Sequence, residues 1–186
     1  MEDQSETHVV CANSLNNNSF RTDGDKVLMS GTAGLSFVDQ LPVNVSLSDF
    51  VIHKNNAASG EVLSTVSGII EQDYNGNPIK IEYTLKSVAQ PKLATTTVNN
   101  VNYQNVDVVK TILTAKVTTV VGVFPFTILE SQDVIVSTQN FVKNIGVISA
   151  NTVFNYTLSA GIGASLGIPE SGNQVTNEVI DTFKVD

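Results

Sequence analysis

Between Ile79 and Lys86 apolar and polar residues alternate without a break. Ile79, Ile81, Tyr83 and Leu85 fall in one phase, and Lys80, Glu82, Thr84 and Lys86 in the other. A period of two marks a strand with one face on a core and one in water. Just before it, "DYNGNP" at 73–78 carries Asn75-Gly76, the strongest short hairpin signal in the chain. "EVLSTVSGIIEQ" at 61–72 supplies the partner strand, with Gly68 read as a bulge or bend, so the pattern predicts a hairpin over 61–86.

The same reading extends along the chain. "LPVNVSLSDFVIH" from Leu41 alternates, with Val43, Val45 and Leu47 in phase. "TDGDK" at 22–26 is a second hairpin turn, while "LNNNSF" at 15–20 reads as a loop. "VNNVNYQNVDVVKTILTAKVTTVVGV" at 98–123 turns near Asn99-Asn100 and then runs in β-formers to about Val121. A strand from Val106 to there would be on the order of 50 Å long, and strands of that length bend or coil. Two more strands are expected at 133–141 and 144–158, with Gly146 bending the second, and a last one at 177–186 with Val179, Phe183 and Val185 in phase. Only 159–173 breaks the pattern, with room for one helical turn before Pro169.

Composition agrees. There are 27 Val and 18 Thr against 12 Leu, and β-branched side chains suit a pleated sheet. The 19 Asn gather where turns should fall. The expected fold is therefore all-β: a single-domain, strongly curved antiparallel sheet, half-barrel or sandwich, with little helix. Residues 1–7 are polar and acidic and read as a flexible tether, leaving 8–186 as one β domain.

Charge narrows the partners. A formal net charge of −8, with no basic cluster, excludes a nucleic-acid binder and disfavours adsorption to anionic lipid. The single cysteine, Cys11, rules out an intramolecular disulfide or a thiolate metal cage. His8 and His53 stand 45 residues apart without carboxylates at ligand spacing, so no metal or other cofactor is expected. No stretch is apolar for the 18 or so residues of a membrane helix. The polar, acidic start shows no signal peptide, which is also how a mature secreted chain reads once its leader is replaced.

Candidate chemistry is sparse. Glu71 and Glu82 sit on the wet phase of the 61–86 hairpin, without the apolar surroundings that raise a carboxyl pKa. No Ser-His-Asp arrangement is indicated. Asp23-Gly24-Asp25 shares the opening of a calcium loop but lacks its closing Glu. "GIGASLG" at 161–167 lacks the Lys-Ser/Thr of a phosphate loop and reads as a small-residue loop. The unusual stretch is "VVGVFPFTIL" at 120–129, in which only Thr127 is polar and Pro125 excludes a central strand. Phe124 and Phe126 either cap the core or line an apolar ligand groove. Core cap is the preferred reading, and the two residues remain the candidate apolar-ligand contacts.

The run Phe141-Val142-Lys143-Asn144-Ile145-Gly146-Val147-Ile148 resembles a segment common in exported lipoproteins of Bacteroidetes, chiefly flavobacteria, of unassigned function. "YTLKS" at 83–87, "VNNVNYQNVDVVK" at 98–110 and "NEVIDTFKV" at 177–185 resemble further segments in order, so the likeness covers about residues 80–186. It departs at Asn100, where the family often has Gly, and at Val142, where it often has Ala. The resemblance implies an antiparallel sheet, export to the periplasm, outer membrane or cell surface, and a lipid anchor on a cysteine preceding residue 1. The expected function is a non-catalytic envelope lipoprotein, a binding or structural module rather than an enzyme. The alternative is a carrier or chaperone for a lipid or other apolar ligand held in a curved sheet.

Overall fold

The alternation that begins at Ile79 opens the longest strand of the protein. The computed structural model describes residues 9–13, 16–36, 42–74, 76–121 and 124–181. The tether expected at 1–7, His8, Asn75, Phe183 and Val185 lie outside them. The chain first forms β1 (Val9–Asn13), β2 (Asn16–Asp23), β3 (Lys26–Ser36) and β4 (Pro42–Lys54). It then forms β5 (Val62–Tyr74), β6 (Asn77–Val98), β7 (Val101–Val121), β8 (Phe124–Val142) and β9 (Gly146–Thr157). A short helix α1 (Ile162–Leu166) and β10 (Ser171–Val179) complete it.

Every pairing is antiparallel and joins neighbours in sequence, giving sheets of order β1-β2-β3-β4 and β10-β9-β8-β7-β6-β5. The all-β class and the scarcity of helix stand. Of the expected half-barrel and sandwich forms the strands take a two-sheet one, neither sheet closed into a barrel among the described residues. They share one core. Val45, Leu47, Phe50 and Ile52 of β4 meet Ile79, Ile81 and Leu85 of β6, Leu113 and Val117 of β7, and Leu129 of β8. Each such side chain removed from water contributes about 1.5–3 kcal/mol. The buried Ser87 hydroxyl ties the sheets together by donating to the Val51 carbonyl at 2.5 Å.

Several local expectations hold. The 61–86 hairpin has the predicted phase, with Ile79, Ile81 and Leu85 buried. Asn99 and Asn100 form the β6–β7 turn, both at positive φ (48° and 65°), which the right-handed twist of a two-residue hairpin favours. Others are corrected. Asn16–Phe20 is strand rather than loop, because cross-strand pairing of Phe20 with Met29 and Ser19 with Ser30 recruits it. Gly146 does not bend a strand; at φ +99° it closes the turn between β8 and β9, where Ile145 N–H donates to the Val142 carbonyl. Gly68 is no bulge, since register runs unbroken through it; a Cβ there would sit 2.6 Å from the Tyr83 hydroxyl and inside van der Waals range of the ring. The last described strand lies at 171–179, paired with β9, and starts before the 177 expected; of the expected 177–186, residues 182–186 lie outside the described residues.

The outer halves of β6 and β7 depart from the flat ladder. A register shift between Gln90 and Leu93 coincides with Pro91, which has no N–H to give the ladder, and Asn105 adopts φ +54°. Beyond these irregularities Val98, Tyr103 and Val106 form a second small core with Ile148, against which Ile180 packs. The Asn99 side chain donates to the Ile180 carbonyl at 2.7 Å, fastening the hairpin tip to the far edge of the same sheet.

Candidate functional site

At one end of the two-sheet body, irregularities in three strands aim polar side chains at one point. In β4 the register against β3 shifts between Leu28↔Val51 and Val27↔His53, so Ile52 and His53 are both buried although adjacent. His53 is 6% exposed, and among the described residues it is the only buried histidine. Its ring lies on Phe141 of β8, centroids 4.7 Å apart and planes 21° from parallel. Its Nε2 is 2.9 Å from Asp107 Oδ2. Asp107 of β7 pairs in register with Phe141, so the imidazole crosses from one sheet onto a matched pair of the other.

The second oxygen of Asp107 is also held: Lys92 Nζ stands 2.8 Å from Oδ1. Lys92 belongs to the β6 irregularity, which swings it off the regular ladder. Burial pushes the Asp107 carboxyl up, but the bonds from Lys92 and His53 outweigh it and hold it below the usual range. The result is a carboxylate with both oxygens engaged.

Two hollows open here. One, of about 470 Å³, has Phe20, Val27, Phe141 and Ile145 among its walls, with His53 and Lys143. The other, of about 260 Å³, is polar: Asn55, Asn56, Lys92, Asn105, Asp107 and Lys143 line it. Asn55 and Lys143 belong to both. Thr22 is the one hydroxyl residue in the two linings, and neither lining contains a Ser or Cys. Among the described residues no group of three or more His, Cys, Asp or Glu could hold a metal ion.

The residues singled out by sequence lie elsewhere. Phe124 and Phe126 are 67% and 48% exposed on β8, so neither caps the core. The reason is an edge: β9 pairs with β8 only from Ile135 onward, and residues 124–127 have β7 as their one strand neighbour, while the Ile128 carbonyl accepts from Ser159 N–H at 2.9 Å. Pro125 sits on that half-free stretch, where its missing N–H costs nothing on the outer side. Phe126 lines a separate hollow of about 310 Å³ with Tyr74, Ile79, Ile128 and Ile162, while Phe124 does not. Glu82 pairs with Lys80 at 2.6 Å, and that bond lowers its pKa; Glu71 sits opposite Lys80 rather than Glu82. The 161–167 stretch forms α1 between Gly161 and Gly167 rather than a loop, and it has its own anion: Glu170 Oε1 accepts from Gly161 N–H at 2.9 Å, and Gly163 leaves no space for a Cβ beside Glu170 and the Ile168 carbonyl.

Sequence reasoning missed the His53–Asp107–Lys92 group, although one signal was present. Asp107 shares its phase with Val109, Leu113, Ala115 and Val117, all buried, and a carboxylate in a core phase demands partners. His53 carried the same signal, since it shares its phase with Val45 and Leu47; the two register shifts of β4 move the inward face to Phe50 and Ile52 and then return it to His53. Comparison with protein-family models, with curated proteins and with solved structures finds no match to this chain.

Proposed function

We propose that this chain is a non-catalytic binding module of the cell envelope that takes a small ligand into the paired hollows at the end of its two sheets. The observation that carries the reading is the convergence of His53, Asp107, Lys92 and Lys143 on a cleft with one apolar and one polar half. Pockets of about 300–1,000 Å³ with apolar walls and a few placed polar groups are the usual form of a small-molecule site. Both Asp107 oxygens are bonded, so the carboxylate orients its neighbours and is not free to take a proton from a substrate. Export and lipid anchoring rest on the sequence resemblance over residues 80–186. Native mass spectrometry of protein purified from its own envelope tests the binding reading. A retained small molecule is expected, and its loss in the Lys92→Gln, Lys143→Gln double variant. A ligand-free wild type, or a ligand held equally by the variant, overturns it.

A second reading, a carrier for an apolar ligand, is favoured by the half-exposed Phe126, which lines the 310 Å³ hollow. It requires saturable uptake of a fluorescent fatty acid that Phe126→Ser abolishes; uptake unchanged in that variant removes it.

A further inference from the structure

The two hollows differ in chemistry and meet at a single cation. On one side ring and branched alkyl, Phe20, Val27, Phe141 and Ile145, share the wall with Arg21, whose charge is matched by Asp49 at 3.0 Å. On the other it is amide and ammonium: Asn55, Asn56, Asn105 and Lys92. Lys143, exposed on the β8–β9 turn, borders both.

The charges at this junction do not cancel. Asp107 is matched by Lys92 at 2.8 Å, and His53 occupies its other oxygen. Among the described residues Lys143 has neither an ion-pair partner nor a hydrogen bond. The junction therefore keeps one uncompensated positive charge, on a protein whose formal net charge is −8. A polyanion is repelled by the surface as a whole, whereas a ligand with one negative charge meets the local cation. The adjoining amides supply hydrogen-bond donors for oxyanion lone pairs. An apolar body on the same ligand would lie over Phe141 and Ile145 and shed water there.

We infer that the end cleft binds a small amphiphilic monoanion, its single oxyanion head between Lys143 and the asparagine amides and its apolar body along the Phe141–Ile145 wall. This deepens the binding reading above and rests on it. The ligand's polar half sets orientation through charge, and its apolar half supplies area.

Three eight-carbon probes with different heads separate the terms: octanoate, 1-octanol and octylammonium, each titrated into the ¹⁵N-labelled full chain and followed by amide chemical shifts. Octanoate is expected to shift Asn144, Ile145 and Gly146 and to saturate at about tenfold lower concentration than octanol, the scale of one charge-assisted hydrogen bond. Octylammonium is expected to be weakest. Lys143→Gln, on an exposed turn, should lower octanoate affinity to that of octanol and leave octanol unchanged. Equal binding of octanoate and octanol at these amides, or octanoate affinity indifferent to Lys143→Gln, overturns the anion inference while the cleft remains a binding site. Absence of any shift at these amides with all three probes overturns both.

Discussion

Tyr83 lies across Gly68, and Tyr156 lies across Gly172, in each case a tyrosine of an inner strand covering a glycine of an edge strand. The ring takes the space that a Cβ would need, which shields an otherwise bare edge backbone. Gly68→Ala is expected to lower stability by about 1–3 kcal/mol by overpacking. Urea denaturation checks it, and the cost should largely vanish in a Tyr83→Ala background because the two residues share one contact. Asp107 gives a pH-dependent counterpart. Its folded pKa lies below the unfolded value, so its contribution is complete above about pH 4 and is lost as pH falls through the lower folded pKa. Asp107→Asn should therefore be less stable than wild type at pH 7, and the gap should narrow below about pH 4. Urea midpoints from pH 7 down to pH 3 measure this, and a gap constant across that range would show that the carboxylate is not held as described. At this scale the site was not legible: Asp107 and His53 each lie in a core phase of their strand, but neither was singled out, and nothing local shows that two sheets bring them together.

Hairpins were the most legible elements, because turn chemistry is local. Gly24-Asp25, within the expected 22–26 stretch, and Asn99-Asn100 close the hairpins expected there. Strands held by tertiary pairing were not legible: asparagine-rich residues 16–20 join a sheet because β3 lies beside them, and β10 begins six residues before its expected start. Phe124 and Phe126 show the same limit. Their apolar run implies burial, but β9 stops short of them and leaves the rings exposed. Phe124→Ser with Phe126→Ser should accordingly leave the protein folded, with a stability loss of no more than about 2 kcal/mol, against the 3–5 kcal/mol for each fully buried aromatic. A thermal melt decides it, and aggregation of the double variant would restore the core-cap reading.

At the scale of the whole molecule, alternation tells which residues face inward but not which sheet they belong to. That is why a half-barrel and a two-sheet sandwich both stood open until the sheets were assigned. Circular dichroism should give a β spectrum in which helix is well under a fifth of the signal, since α1 has five residues; a larger fraction would contradict the fold. The meander order has a further consequence, for the time course of folding. Within each sheet every strand after the first pairs with the one made just before it, so ring-closure entropy stays small at every step and no strand must wait for a distant mate. The exception is the greasy side of β4. Val45, Leu47, Phe50 and Ile52 are complete as a ladder once β3 is in place, yet their covering layer comes from β6, β7 and β8. Until those segments arrive, the first meander is a finished ribbon with a bare, adhesive flank, and this interval is where a nascent or refolding chain is most exposed to self-association.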